Sequence, residues 1–267
     1  MPANCPLCHV PGSVLYDDLR DRLYNAPGQW TLRRCPNPNC AIAWLDPMPS
    51  ESDLAAAYRD YFTHPSAPSL RRRALRYVKT GYLAGRYGYR ADSVSAPQRA
   101  IGRLACLAPF RRAGLDVLVQ HLSALPRGRL LDVGCGDGQI VEFMDGLGWQ
   151  AEGVDFDAAA IAAASRKGLR VHVGTLHSRN YGENTFDALV MSHFIEHVLE
   201  PAALLAKCRR ILRPGGRLII LTPNLASWGH NQFGRAWFAL DPPRHLHLFT
   251  PAALRGLVER KIGRAHV

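Results

Sequence analysis

Four cysteines stand in two close pairs, Cys5-x2-Cys8 and Cys35-x4-Cys40. Thiolates at these spacings supply the four ligands that a closed tetrahedral zinc site requires, and a closed site contributes folding energy, leaving no open position for chemistry. His9 is a substitute ligand on paper, but next to Cys8 it is expected to be a bystander. A second set of polar groups, Ser192-His193-Phe194-Ile195-Glu196-His197, follows an apolar run. His197 is the candidate base of this set, because histidine titrates near neutrality; the alternative is a residue that only holds the loop.

A third constellation is the stretch Leu130-Leu131-Asp132-Val133-Gly134-Cys135-Gly136-Asp137-Gly138, an apolar run feeding a glycine-rich turn where a ligand can approach backbone closely. Its third glycine falls two residues after Gly136, whereas a dinucleotide fingerprint wants it three after, at Gln139. Asp132 before the loop suits a ligand with a cationic ammonium group better than a pyrophosphate. S-adenosylmethionine is such a ligand. Asp155 ends the next apolar run, twenty-one residues beyond Gly134, where a carboxylate can accept from both hydroxyls of a ribose.

The elements that must position these groups are legible from residue 129 onward. Strand-like runs at Leu130 to Val133, Ala151 to Val154, Val171 to Val173, Phe186 to Met191 and Arg217 to Leu221 alternate with helical stretches at Gln139 to Leu147, Ala158 to Lys167 and Pro201 to Leu212. That alternation predicts an α/β fold with a parallel sheet, whose ligands bind outside the carboxyl ends of the strands. Ahead of it, residues 1–49 are expected to form a small zinc-ribbon-like module ending at Leu45-Asp46-Pro47-Met48-Pro49. Residues 50–126 are expected to be a helical connecting segment: a short helix from Ser50 to Phe62 capped by Ser50 or Ser52, then Leu70, Ala74, Leu75, Val78, Tyr82 and Leu83 at helical spacing. The catalytic-type domain then spans 127–260.

At this point a resemblance is plain. LLDVGCGDG, GVD, the FDALVMSH strand and LRPGGRLIILTPN follow the motif order of class I S-adenosylmethionine-dependent methyltransferases, over about residues 129 to 260. The resemblance implies a Rossmann-like sheet, with Asp132, Gly134, Gly136 and Gly138 around the methionine half of the cofactor and Asp155 on the ribose. It also implies Gly174, Thr175 and Leu176 beside the adenine, with Cys135, Phe156 and Ser192 completing the lining. Glu196 and His197 resemble the Glu-His pair of ubiquinone-pathway O-methyltransferases, some of which use a divalent ion, but His193 replaces that family's leading acid, which argues against metal dependence. His197, His193 and Glu196 are thus the catalytic candidates. Beyond the fifth strand, Trp237, Arg244, His245 and His247 are acceptor-side candidates on a segment of about thirty residues long enough to be a lid, with Arg244 and His245 orienting an anionic acceptor. The alternative is a cap of Trp237 and Phe249 on the sheet edge, its histidines satisfied internally.

The cysteine knuckles resemble zinc-binding heads that precede methyltransferase domains in bacterial surface-polysaccharide and secondary-metabolite pathways, and also those of guanine methyltransferases of ribosomal RNA. The resemblance therefore implies methyl transfer to a small-molecule hydroxyl, of a sugar or related metabolite, with an RNA methyltransferase and a non-catalytic binding protein of the same fold as alternatives.

The composition fits a globular protein: 267 residues, 47% hydrophobic, 21% charged, net charge +11. Between Leu70 and Leu115, eleven basic residues (Arg71, Arg72, Arg73, Arg76, Lys79, Arg86, Arg90, Arg99, Arg103, Arg111, Arg112) face Asp92 alone. That segment is either a solvated helical face or a surface for phosphate, RNA or an anionic membrane, with Tyr77, Tyr82, Tyr87 and Tyr89 stacking on bases or packed in the core. No apolar run approaches the ~20 residues of a bilayer crossing and the N-terminus lacks the regions of a signal peptide, so a reducing, cytoplasmic setting is expected. Cys106, Cys135 and Cys208 are expected to be packed. The resemblance implies seven strands, and the chain stops at the helix that begins at Pro251; residues 261–267 read as a non-native tail, so the last strands are expected to be missing and a sheet edge exposed.

Overall fold

A computed structural model describes residues 4–58, 72–89, 93–105, 107, 109–124 and 126–264. Residues 59–62 of the helix expected from Ser50 lie outside the described residues, as do Leu70, Arg71, Arg90, Asp92, Cys106 and the last three residues; so do the side chains of Arg72, Arg73, Ala74, Leu75, Arg76 and Arg111. The chain opens with β1 (Ser13–Leu19), β2 (Trp30–Arg34) and β3 (Ala43–Asp46), followed by helices α1 (Glu51–Tyr58), α2 (Arg72–Tyr87), α3 (Ala96–Ala105) and α4 (Pro109–Leu118). Alternation then sets in: β4 (Arg129–Val133), α5 (Gln139–Asp145), β5 (Gln150–Asp155), α6 (Ala158–Arg166), β6 (Val171–Val173), β7 (Phe186–Ser192), α7 (Pro201–Ile211) and β8 (Leu212–Leu221). The chain ends with α8 (Trp228–Phe233), β9 (His247–Leu248) and α9 (Pro251–Lys261).

The predicted strands and helices are present from residue 129 on. They form a sheet of order β6-β5-β4-β7-β8. Its inner strands run parallel, with Asp132 opposite Gly153 on one side and Val190 on the other. Near-continuous apolar runs suit strands covered on both faces: Leu130, Ala151, Ala188 and Val190 pack with Val141, Met144 and Ile161 from α5 and α6. β8 begins five residues before the apolar run that marked it, at Leu212. In the same unit Tyr82 and Tyr89 are buried, Tyr82 donating to Asp116 (2.5 Å) and Tyr89 accepting from the Trp149 indole (2.9 Å), which places these two tyrosines in the core.

The other unit comprises residues up to 62, Met191–Arg210 and Ile220 onward. Its antiparallel sheet has the order β1-β2-β3-β9, so the N-terminal module does not close on residues 1–49. Ala43 and Trp44 of β3 pair with Leu248 and His247 of β9, and Leu19, Trp30, Leu32 and Leu45 share a core with Leu225, Trp237, Leu240, Leu246 and Leu248. Three short strands bury too little on their own, and the later segment supplies the missing apolar surface. The later part of the stretch that sequence length marked as a lid, from Ala239 onward, is therefore buried structure, while Trp228, Phe233 and Phe238 before it are exposed. Helix α1 starts at the first of its two candidate caps: Ser50 Oγ accepts from Asp53 N–H and Asp53 returns the bond to Ser50 N–H, a reciprocal capping box.

Candidate functional site

The glycine turn leaves β4 and is pinned to β5, with Gly134 N–H donating to Val154 O (2.8 Å). Gly136 N–H donates to Asp155 Oδ2 (2.8 Å) and Asp157 N–H to Asp155 Oδ1 (2.9 Å), so Asp155 shapes the turn and each of its oxygens retains accepting capacity. Gly136 has φ +50°, and a Cβ there would point into open space, which leaves the backbone accessible at this position. Gly138 differs. Its φ is +79°, and a Cβ would strike Leu169 at 2.7 Å, so this glycine serves the packing of the turn against its own unit.

Asp132 is 1% exposed and both its carboxylate oxygens lack a hydrogen-bond partner among the described residues. Burial, and then the charge of Asp155, push its pKa up to about 7. A buried, unpaired acid beside a second raised acid is a site short of a cation. A ligand with an ammonium and a sulfonium group and a ribose diol meets these needs, so the residues fit S-adenosylmethionine. Thr175 Oγ1 accepts from the N–H groups of His177 and Ser178, which commits that side chain to a turn, and Leu176 is buried; Phe156 presents an exposed ring next to Asp155. Cys135 is buried, its thiol pushed well above the usual range by burial and then by Asp132.

The second cluster lies on the loop after β7. Glu196 is fully buried; its Oε2 accepts from Thr222 Oγ1 (2.9 Å), and its Oε1 lies 3.5 Å from His193 Nδ1. Burial opposes its ionisation, yet His193, His197 and His245 hold its pKa below the ordinary value. His193 is the exposed member, sits at φ +53°, and has its pKa raised by the Glu196 hydrogen bond. A left-handed conformation at a histidine is strained backbone, of the kind that concentrates at functional positions.

His197 is different from its expected role. Burial, then the neighbouring His245, lower it to about 4, so it is neutral at physiological pH. Its Nδ1 is 2.9 Å from the Arg244 carbonyl and 2.8 Å from the Tyr58 hydroxyl. A carbonyl only accepts, so the network assigns the proton to Nδ1 and leaves the lone pair on Nε2. His245 repeats the pattern, Nδ1 lying 2.8 Å from Ala239 O. One ligand atom from each of Glu196, His197 and His245 lies within 4.8 Å of the others, a donor set of two imidazoles and a carboxylate that can hold a divalent cation.

Residues 107–261 match a methyltransferase-domain family. This chain belongs to the class I S-adenosylmethionine-dependent methyltransferases. The methyltransferase is 33% identical over 135 residues to the ubiquinone biosynthesis O-methyltransferase of Alkalilimnicola ehrlichii, covering 48% of this chain and 53% of that protein. It is 32% identical over 178 residues to the protein of the same name from Xanthomonas oryzae pv. oryzae, covering 63% and 70%. The chain thus spans about half of the first relative's length and about two thirds of the second's. Among solved structures, an S-adenosylmethionine-dependent methyltransferase from Archaeoglobus fulgidus aligns with a TM-score of 0.46 and 23% identity over 58% of this chain and 66% of that one.

Elsewhere in the methyltransferase, the four cysteines converge as their spacing predicted. Cys5 and Cys40 sulfurs are 3.7 Å apart, Cys8 and Cys35 sulfurs 3.4 Å, and all four lie within 4.8 Å of one another. Zinc–sulfur bonds of about 2.3 Å in a tetrahedron place sulfurs about 3.8 Å apart, so the cluster has the dimensions of a zinc site.

Arg244 corrects the sequence reading. Its guanidinium is 0% exposed, donating to Asp241, to Asp21 (2.8 Å) and to Ala57 O (3.1 Å), with its face over the Tyr24 ring. A side chain so buried and so engaged does not reach an anionic acceptor. Trp237 and His247 are likewise interior, His247 lowered to about 4 by burial. Sequence reasoning missed Asp21, Tyr58 and Thr222, which lie 139 to 223 residues from partners in the cluster around Glu196 and Arg244, except Thr222 at 26. Only the fold brings them there.

Proposed function

We propose that this methyltransferase moves a methyl group onto a hydroxyl oxygen of a small metabolite, a sugar or related molecule, with His193 as the base. The observation that carries the reading is the pairing of exposed His193 with fully buried Glu196. S-adenosylmethionine, when bound, supplies an electrophilic methyl carbon. Asp132 and Asp155 hold its cationic and ribose groups, and the open backbone at Gly136 lets it approach. His193 takes the proton of the attacking hydroxyl, and Glu196 stabilises the resulting imidazolium while Thr222 fixes the carboxylate. His197, neutral and tied to Arg244 O and Tyr58, positions the loop, and the four cysteines hold a structural zinc.

A second acceptor class is favoured by the relatives' names, which place them in ubiquinone biosynthesis: a phenolic hydroxyl in place of a sugar hydroxyl. Transfer of radiolabel from methyl-labelled S-adenosylmethionine to pools of sugar nucleotides and of catechols separates the two. His193→Ala should lower the rate on the accepted pool by about 10²–10⁴-fold. Labelling of neither pool by folded protein that binds S-adenosylhomocysteine would reject both acceptor classes.

A further inference from the structure

Helices α2 and α3 pack through glycine. A Cβ on Gly81 would lie 2.1 Å from Gln98 O, and one on Gly102 would lie 2.2 Å from Tyr82 N, so the inner face of α3 is bare backbone against α2. Gln98 and Arg103 fasten it further, donating to Tyr77 O (3.1 Å) and Gly85 O (2.9 Å). The larger apolar side chains of α3 are consequently left outside: Ile101 is 44% exposed, Leu104 65%, and Leu107 just beyond the helix 77%. Ile101 and Leu104 are three residues apart, as on one stripe of a helix.

Arginines flank this stripe. Arg86, Arg103 and Arg112, with Leu107, line a cleft of about 390 Å³; Arg99 and Arg103 line another of about 450 Å³. Among the described residues of this segment the acid is Asp116, which is buried and already meets Arg86 (3.2 Å) and Arg112 (3.6 Å). Among the described residues of the segment, the exposed charge is therefore positive. A leucine stripe inside an arginine rim is the pattern of an element lying in a membrane interface, with apolar side chains among acyl chains and cations at the headgroups. A second copy of this chain, itself at +11, would bring like charge against like.

We propose that α3 and its flanking arginines form a docking surface for an anionic phospholipid membrane, with Ile101, Leu104 and Leu107 entering the interface and Arg86, Arg99, Arg103 and Arg112 meeting headgroup phosphates. The test is co-sedimentation of the full chain with vesicles of phosphatidylcholine, or of phosphatidylcholine mixed with phosphatidylglycerol, over a series of salt concentrations. The expected result is binding to the mixed vesicles alone, weakened by salt. Arg99→Gln and Arg103→Gln should each weaken partitioning about fivefold. The pair Leu104→Ser and Leu107→Ser should weaken it by more than about tenfold with thermal melting unchanged. Absence of binding by folded protein, equal binding to both vesicle types, or leucine variants that bind like wild type would overturn the proposal. So would retention on poly(U) RNA in preference to vesicles, which would assign the arginines to nucleic acid.

Discussion

His193 Nδ1 lies 3.5 Å from Glu196 Oε1, so the exposed imidazole on this loop is set against a fully buried carboxylate. The carboxylate raises the pKa of His193 above its usual 6.5 by hydrogen bonding and charge, against the effect of burial. With a raised folded-state value, the pair's contribution to stability is complete below 6.5 and is lost as pH rises through the folded value. The free base appears over that same upper window. Methylation should accordingly increase with pH along a limb centred above 6.5, and Glu196→Gln should move that limb down while cutting the rate by about 10- to 100-fold. Profiles of kcat/KM against pH for the two proteins check this; superimposable limbs would remove His193 as the base.

Asp132 gives a prediction with opposite consequences for stability and binding. Its pKa is raised to about 7, so ionising it in the folded protein costs stability that is intact below the unfolded value near 3.8 and is lost as pH climbs to 7. Asp132→Asn should raise the melting temperature of the unliganded protein at pH 8, by no more than roughly 4 kcal/mol in free energy. The same change should weaken S-adenosylhomocysteine binding by about 100-fold, since a charge-assisted bond to the ammonium is lost. Calorimetric titration across pH also reads proton release when the ligand's cation ionises Asp132. Binding by the asparagine variant as tight as wild type would place the amino group elsewhere.

Asp155→Ala offers a third test, because Asp155 holds Gly136 and Asp157 N–H groups as well as its expected ribose contact. Loss of both turn contacts and the diol acceptor should abolish micromolar binding of S-adenosylhomocysteine. Asp155→Asn keeps one accepting oxygen and should bind at an intermediate level. An alanine variant that titrates normally would take the ribose away from this position.

The parallel sheet and the glycine turn were legible because they are local: Leu130 to Gly138 carries its strand, turn and buried acid in nine consecutive residues. The convergence of the four cysteines was legible because each close pair, Cys5 with Cys8 and Cys35 with Cys40, is local in sequence. What stayed hidden depends on long-range closure. Nothing near Arg244 in sequence announces Asp21, 223 residues away, and Arg244 beside two histidines reads as a ligand-facing group until its burial is known. Histidine ordinarily titrates near neutrality, and that behaviour fails at His197 because the ring is buried and His245 stands 4.8 Å away by ring centroid. The same closure explains why the boundary at residue 49 does not end a unit: the fourth strand comes from His247–Leu248.

Arg244, Asp241 and Asp21 form a buried charge cluster, and removing one partner strands the others. Burial would raise Asp21, but Arg244 and the N–H groups of Tyr24, Ala26 and Leu23 bring it down to about 2. That lowered value means its contribution is present above 3.8 and is lost as pH falls through about 2. Arg244→Ala should destabilise the fold by about 3–5 kcal/mol, with Asp21→Asn costing less because the amide keeps part of the network. Urea denaturation at neutral pH measures both. An Arg244→Ala protein of wild-type stability would contradict a structural role for Arg244.

The cysteine cluster is linked to parts of the chain two hundred residues distant. Cys35 and Cys40 bracket the turn from β2 into β3, β3 carries β9 as its neighbour, and Thr250 Oγ1 lies 3.5 Å from Cys40 O at the start of α9. Zinc held by Cys5, Cys8, Cys35 and Cys40 should appear as one ion per chain by elemental analysis, absent in Cys35→Ser. Because apo ligands have no other cation to gather them, binding energy on the order of 10 kcal/mol becomes folding energy. Chelation should therefore loosen Leu246 and Leu248 as well as the knuckles, seen as faster amide exchange at those residues, while Leu130 and Val190 of the parallel sheet keep their protection. Exchange confined to residues near Cys5 and Cys35 after complete zinc removal would show that the sheet through β9 stands without the metal.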